Sequence, residues 1–222
     1  MGGLILSIFL LSLGVTFNGS LDTLISQAYG QKDLRLCRVY LNRQLYLTTM
    51  VFFALALPLI YTKEMVMSLG QDEPTATAAA TYVHIMIPGG LVYSWQSCYS
   101  RFLSGQRITV ISMYANISAT LVHVMLALLL TVQNGMGIKG IAIASSTQFF
   151  VRYLVTITYV LKCGKFDDPD LQVPLLHEDS FLNWKQQFYL SLQCMSLSVW
   201  SWWAMDIFTL IASYMPSNVI AA

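Results

Sequence analysis

The sequence predicts an all-α polytopic membrane protein with six transmembrane helices. Of the 222 residues, 56% are hydrophobic and only 10% are charged, whereas a soluble domain carries about 25% charged residues. Six runs contain no Asp, Glu, Lys or Arg: residues 1–21, 44–62, 74–100, 108–138, 186–205 and 207–222. An uncharged apolar run of about 18 residues is long enough to cross a bilayer. The composition excludes a soluble enzyme and a disordered chain, and the net charge of +1 excludes a nucleic-acid partner.

Turn and breaker residues divide these runs into six predicted helices. Asp72-Glu73-Pro74 starts helix C, and Gln133-Asn134-Gly135 separates helix D from helix E. Pro216 ends helix F because proline cannot continue a helix. Pro58 and Pro88-Gly89-Gly90 predict kinks within helices B and C. The predicted helices are A (residues 3–27), B (44–62), C (76–102), D (109–132), E (139–161) and F (187–214).

The distribution of Lys and Arg predicts the orientation in the membrane, because these residues concentrate in cytosolic loops. The A–B, C–D and E–F connections hold nine of them, against two, Lys63 and Lys139, on the opposite side. We therefore expect the A–B, C–D and E–F loops to face the cytosol. The longest connection, residues 162–186, is predicted to end in a short interfacial helix, Phe181–Lys185, with aromatic anchors.

Polar residues recur on single faces of three predicted helices. Such stripes are typical either of interhelical packing by small hydroxylated residues or of a water-lined cavity, and their length favours a cavity. They comprise Ser12, Thr16, Ser20, Thr23 and Gln27, with Asn18, Asp22 and Ser26 beside them, on helix A; Ser112, Asn116, Thr120 and His123 on helix D; and Ser191, Cys194, Ser198, Ser201 and Asp206 on helix F.

The ionisable residues within the predicted helices show no catalytic or metal-ligand spacing, so neither an enzyme nor a metal or other cofactor is predicted. Two of them have opposite charge and lie at matching depth, since Asp22 precedes Lys32 by ten residues and Arg152 precedes Lys162 by ten. Charged residues within a membrane usually pair. We therefore expect an ion pair between Asp22 and Arg152, with snorkelling of Arg152 to the interface as the alternative.

Three segments resemble the multidrug and toxic compound extrusion (MATE) family of antiporters, specifically its eukaryotic branch. Asn18 to Gly30, with the sequence NGSLDTLISQAYG, resembles the end of the family's second helix. Pro88-Gly89 followed by Gln96 to Gln106 resembles the end of its fourth helix. Ser201 to Asp206, with the sequence SWWAMD, resembles the E-W-W-x-x-E segment of its seventh helix.

This resemblance implies helices two to seven of a twelve-helix transporter, that is, most of one six-helix lobe and the first helix of the second. The implied divisions are 1–161 (helices A–E of the first lobe), 162–186 (cytosolic loop with an interfacial helix) and 187–222 (first helix of the second lobe). The sequence departs from the family where Ser201 replaces the first acid of E-W-W-x-x-E and where the second acid is the shorter Asp206.

The resemblance also implies export of organic cations or xenobiotics in exchange for protons or sodium, by alternating access, from a plasma or vacuolar-type membrane. The residues implied for substrate and proton coupling are Asp206, Ser201, Trp202 and Trp203. Those implied for the cavity or gate are Asp22, Gln27, Asn18, Gln96, Asn116 and His123. The expected partners are the lipid bilayer, a small-molecule substrate, the coupling ion, and a second lobe or a homodimer partner. The alternative is a transport-incompetent fragment or subunit that needs a partner to complete the fold.

Overall fold

The computed structural model of the protein describes residues 13–162, 174 and 180–213. One 3₁₀ turn spans Pro58–Tyr61, and one π-helical turn spans Leu129–Gln133. The α-helices in this part of the chain are α1 (Leu13–Phe17), α2 (Ser20–Gly30), α3 (Leu34–Ala56), α4 (Thr62–Ser68), α5 (Glu73–Gly105), α6 (Val110–Leu128), α7 (Gly137–Lys162) and α8 (Trp184–Ser213).

Three helical segments of the described chain are long and apolar enough to cross a membrane: Leu34–Ser68, Val110–Gln133 and Gly137–Lys162. The all-helical architecture is confirmed, whereas the number of six membrane spans stays a prediction. The observed helices α5, α6 with its π-helical turn, and α7 lie within three residues of predicted helices C, D and E at both ends. Pro88 lies within α5, which continues through it.

Predicted helix A is interrupted in the structure at Asn18 and Gly19, which separate α1 from α2. The interruption is a tight turn, in which the amide of Asn18 donates to the carbonyl of Val15 (3.2 Å) and the amide of Gly19 to that of Thr16 (3.0 Å). The side chain of Asn18 is fully buried and hydrogen-bonded to other helices. The interruption therefore coincides with a polar side chain whose hydrogen-bond partners lie on α3 and α5.

Predicted helix B begins ten residues too late and ends six residues beyond α3. The structure starts α3 at Leu34, where Asp33 caps the helix by accepting a hydrogen bond from the amide of Leu36 (2.8 Å). Asp is a preferred N-cap residue, so this start had a local signal. α3 ends at Ala56, two residues before Pro58, whose missing amide proton cannot support a continuing α-helix. Most of the predicted A–B loop is thus the first turns of α3.

Two clusters of buried apolar side chains lie toward opposite ends of the bundle. One joins α3, α4 and α5 around Leu59, Val66 and Val83. The other joins α2, α3, α5 and α7 around Leu21, Leu41 and Phe102. On α3, the residues between these clusters include buried polar side chains, which contribute to the first of two polar regions described below.

Helix α8 begins directly after the turn at residues 181–183, so the predicted separate interfacial helix at Phe181–Lys185 is wrong. Trp184 and Lys185 are the first residues of α8 itself. Near its start, α8 packs against α1, α2 and α3. Its C-terminal half carries exposed apolar side chains, such as Leu197 (80% exposed) and Trp200 (70% exposed).

Candidate functional site: two polar regions inside the bundle

The first polar region is a hydrogen-bonded network centred on Gln44, which is completely buried. We call it the Gln44 network; its side chains are Asn18, Ser20, Arg43, Gln44, Thr48, Gln187 and Ser191. Because the members come from the α1–α2 turn, from α2 and α3, and from α8, the network ties α8 to the rest of the bundle. All seven side chains are at most 7% exposed.

Both the oxygen and the nitrogen of the Gln44 carboxamide form hydrogen bonds. Its Oε1 accepts hydrogen bonds from Gln187 Nε2 (2.9 Å), Ser191 Oγ (3.2 Å) and Ser20 Oγ (3.3 Å). Its Nε2 donates to Asn18 Oδ1 (3.2 Å) and to the carbonyl oxygen of Phe17 (3.3 Å). The Gln44 side chain therefore forms hydrogen bonds with polar groups on three helices, α1, α2 and α8, and at the turn that separates α1 from α2.

Neighbouring residues extend the network in both directions. Thr48 Oγ1 donates to Asn18 Oδ1 (2.5 Å), and Asn18 Nδ2 donates to the carbonyl oxygen of Ser94 on α5 (3.1 Å). Arg43 donates through Nη1 to Gln187 Oε1 (3.2 Å) and through Nε to the carbonyl oxygen of Ser180 (3.3 Å). Its guanidinium also lies 5.6 Å from the centroid of the Tyr40 ring.

A cavity of about 530 Å³ lies against this network, between α2–α3 and the first turns of α8. Arg43 and Gln187 belong both to the network and to the cavity wall, and Tyr40 and Lys185 add further polar groups. Ligand pockets for small molecules have volumes of about 300–1,000 Å³. The cavity is therefore large enough for a small organic molecule.

The second polar region is a cavity of about 250 Å³ between α5, α6 and α7. We call it the Arg152 cavity; it is lined by Tyr93, Gln96, Ser97, Ser100, Arg101, Asn116 and Arg152. In contrast to the Gln44 network, two of its polar groups are unpaired. Within the described residues, neither Gln96 Oε1 nor Arg152 Nε has a hydrogen-bond partner, although both atoms are buried.

The predicted ion pair between Asp22 and Arg152 is wrong. Asp22 pairs with Arg101 of α5 through Oδ2 and Nη1. α5 packs against both α2 and α7, so its arginine reaches the carboxylate. Arg152 instead lies with its guanidinium 5.8 Å from the centroid of the Tyr93 ring, a cation–π contact. Two residues at equal depth on different helices need not be neighbours. The matching residue spacing therefore predicted the wrong partner for Asp22.

Arg152 has no carboxylate within ion-pair distance in the part of the chain that the structure describes. An arginine at the centre of a membrane helix costs about 2.5–3.5 kcal/mol on insertion scales. The cation–π contact offsets only part of such a cost, since it is worth about 0.5–2 kcal/mol. The Arg152 cavity is consequently a polar, positively charged pocket within the bundle.

The structure divides the predicted cavity and gate residues between different environments. Gln96 and Asn116 line the Arg152 cavity, whereas Asn18 is fully buried in the Gln44 network. Gln27 is exposed on α2. His123 is half-buried on α6, and its Nδ1 has no partner within the described residues. The polar stripe of helix A is thus split, with Thr16, Asn18 and Ser20 inside and Asp22, Thr23, Ser26 and Gln27 exposed.

The predicted coupling residues lie on the C-terminal half of α8. The side chains of Asp206, Ser201 and Trp202 lie outside the described part of the structure. Trp203 is half-buried, and its ring packs edge-to-face on that of Trp200 with the centroids 6.3 Å apart. The proposed roles of these four residues stay predictions.

Arg43, Gln44 and Gln187 are site residues that the sequence patterns do not indicate. Charged residues are typical of loops, so the charges before Gln44 predict a loop that includes Arg43 and a helix that starts at Gln44. The N-cap at Asp33 was the available signal, since it places both residues about ten positions inside a helix. Gln187 had no comparable signal, because its partners are 143 and 144 residues away in the sequence.

The MatE family model matches residues 2–129, more than half of the chain. This chain belongs to the MatE family. Among its curated relatives, Protein DETOXIFICATION 16 of Arabidopsis thaliana is 29% identical over 141 residues, which cover 64% of this chain and 29% of that protein. Protein DETOXIFICATION 5 of the same plant is 25% identical over 202 residues, which cover 90% of this chain and 41% of that protein.

The fold of this MatE chain matches the crystal structure of the eukaryotic MATE transporter AtDTX14. The TM-score is 0.87 at 20% sequence identity, and the match covers 97% of this chain and 47% of that one. The resemblance seen in the sequence motifs is therefore confirmed, and the chain is an integral membrane protein. It spans less than half the length of the relatives that it matches.

Proposed function

We propose that the chain acts in a membrane antiporter that exports organic cations or other xenobiotics in exchange for protons or sodium. The observation that carries this proposal is membership of the MatE family together with a fold match over 97% of the chain. The family relationship supports a transporter rather than an enzyme. It also supports efflux over the alternative of a transport-incompetent fragment or subunit.

In this proposal residues 1–161 form most of a first lobe, residues 162–186 a cytosolic loop, and residues 187–222 the beginning of a second lobe. α8 then belongs to the second lobe but rests on α1, α2 and α3 of the first. The 530 Å³ cavity lies at this boundary and is our candidate for part of the substrate path. Transporter substrate sites commonly lie where two repeats meet, because rocking of one against the other exposes the site alternately.

Asp206 is the proposed exchange group. A single carboxylate can exchange a proton for an organic cation, because either one neutralises the same negative charge and each therefore weakens binding of the other. Ser201, Trp202 and Trp203 are the proposed neighbours of the cation. Aromatic rings attract cations through their electron-rich faces, and Trp203 already packs in an aromatic pair on α8.

The proposal predicts that Asp206→Asn abolishes ion-coupled efflux, because the amide keeps the size of the side chain but cannot carry the exchanged charge. The measurement is efflux of a fluorescent organic cation from proteoliposomes, driven by a pH gradient or, separately, by a sodium gradient. Glu64→Gln is the matched control, since Glu64 is an exposed acid near the start of α4.

Unchanged gradient-driven efflux in Asp206→Asn would remove this residue from the mechanism. No efflux by the wild-type chain under either gradient would contradict transport by the chain alone. It would favour a subunit that requires a second lobe or a homodimer partner, and native gel mobility in mild detergent would then reveal such an assembly.

The proposed orientation predicts that Lys32→Cys is labelled only from the cytosol and Ser68→Cys only from the other side. Both positions are exposed: Lys32 lies on the turn before α3, and Ser68 is the last residue of α4. A membrane-impermeant maleimide applied to sealed cells, with and without permeabilisation, makes the measurement in a background without Cys163 and Cys194. Labelling of Lys32→Cys in sealed cells would show that the topology is the reverse of the proposed one.

The choice between a plasma membrane and a vacuolar-type membrane needs a separate measurement. A fluorescent fusion of the chain distinguishes the two by its location in the cell.

A further inference from the structure

The Arg152 cavity has features that export of an organic cation does not use. Two guanidinium groups face it, and one of them, Arg101, is paired with Asp22. The other, Arg152, contacts the face of Tyr93 and has no carboxylate partner in the described part of the chain. The cavity therefore carries a net positive charge, which repels cations and attracts anions.

Other side chains of the same lining can donate hydrogen bonds. Gln96 is only 3% exposed, yet its side-chain oxygen has no partner within the described residues. The oxygen and nitrogen of a carboxamide exchange places by a simple rotation, so Gln96 can present its NH₂ group to the cavity instead. Ser97 and Asn116 add a hydroxyl and a second amide to the same lining.

The volume of the cavity favours a compact occupant. About 250 Å³ accommodates a small ion with several water molecules, since one water molecule takes about 30 Å³ in the liquid. It is below the range of about 300–1,000 Å³ that is typical for drug-sized ligands. A compact anion fits the charge, the donors and the space together.

We propose that the Arg152 cavity is a binding site for one small monovalent anion of the chloride or carboxylate class. The guanidinium of Arg152 supplies the charge, while Gln96, Ser97 and Asn116 supply hydrogen bonds. The bound anion neutralises an arginine that has no carboxylate partner among the residues that the structure describes. The site goes beyond the proposed efflux function and does not depend on it.

The test is a titration of the purified chain in detergent with sodium chloride or sodium acetate, in a HEPES buffer whose bulky sulfonate is the only other anion and keeps the ionic strength constant. The readout is the thermal unfolding midpoint followed by tryptophan fluorescence. We expect a saturable rise in the midpoint of the wild-type protein, since a ligand that binds only the folded state stabilises it. Arg152→Gln should lose the anion-dependent rise, whatever its own midpoint.

Gln96→Leu should weaken the apparent anion affinity about tenfold, which corresponds to the loss of one hydrogen bond. Lys162→Gln is the matched control, because it removes an exposed positive charge from the end of the same helix α7 and should keep the wild-type response. This titration requires no transport, so its outcome is independent of the efflux assays.

Any of four results would overturn the proposal. The first is the absence of a saturable response in the wild-type chain, and the second is an equal response in Arg152→Gln and the wild type. The third is a response to anionic phospholipid in mixed micelles but not to free chloride or acetate, which would assign the cavity to a lipid headgroup. The fourth is loss of the response in Lys162→Gln, which would contradict a site at Arg152.

Discussion

The Gln44 network and the Arg152 cavity are both polar regions inside the bundle, but their hydrogen bonding differs. Gln44 has partners for both its oxygen and its nitrogen. Gln96 is almost as deeply buried, yet its oxygen has no partner among the described residues. A fully bonded network fixes the positions of its helices, whereas a buried polar group without a partner indicates a place for a ligand or water.

The difference also separates two roles for polar residues in membrane helices. Asn18, Ser20 and Ser191 hold helices together, as the packing interpretation of polar stripes requires. Gln96 and Asn116 line open space, as the cavity interpretation requires. One stripe, that of helix A, contains both buried and exposed polar residues. The spacing of polar residues along a single helix therefore cannot distinguish interhelical packing from the lining of a cavity.

The largest predicted effect is that of Gln44→Leu. This change leaves the side chains of Ser20, Gln187 and Asn18 with fewer partners inside the bundle. We expect a loss of about 3 kcal/mol or more in unfolding free energy, since each buried group without a partner costs about 1–3 kcal/mol. Denaturant or thermal unfolding in detergent measures it.

The control for Gln44→Leu is Gln193→Leu, the same exchange at an exposed position of α8. It should leave stability nearly unchanged. Equal effects of the two substitutions would show that the network does not hold α8 against α2 and α3.

An intermediate effect is expected for Gly19→Ala, which tests how closely α8 must approach the network. An added Cβ would lie 3.0 Å from the carbonyl oxygen of Thr16 and 3.1 Å from Cβ of Cys194 on α8. Overpacking of this kind costs about 1–3 kcal/mol. The unfolding midpoint should therefore fall, and Cys194 should react faster with a maleimide as α8 moves away.

Gly30→Ala is the matched substitution, because its Cβ would meet no atom within 4 Å. If Gly19→Ala has no greater effect than Gly30→Ala, the contact between the α1–α2 turn and α8 is not tight.

Gln96→Leu should have the smallest effect on stability when no small anion is present. The direction of this effect should be opposite to that of Gln44→Leu. Removing a buried oxygen that has no partner relieves an unsatisfied group, so the stability should stay the same or rise by up to about 1 kcal/mol. Thermal unfolding in the HEPES buffer without chloride or acetate measures this. A loss as large as that of Gln44→Leu would mean that Gln96 is also a bonded structural residue, and the comparison between the two regions would fail.

The sequence by itself determined the membrane class and much of the helix order, because both follow from local properties. Uncharged apolar runs predict helices, and Gln133-Asn134-Gly135 separated α6 from α7 at the correct place. The motifs from Asn18 to Gly30 and from Ser201 to Asp206 also led to the correct family. Capping by Asp33 was a local signal for the start of α3 as well.

Only the tertiary structure decided which polar groups meet. Asp22 pairs with Arg101 rather than Arg152, and Gln44 meets Gln187 across 143 residues of sequence. Helical periodicity assigns a residue to a face and a depth, but the lateral arrangement of helices depends on packing along their whole length. That arrangement gives Gln44 a full set of partners and leaves Gln96 and Arg152 facing a cavity.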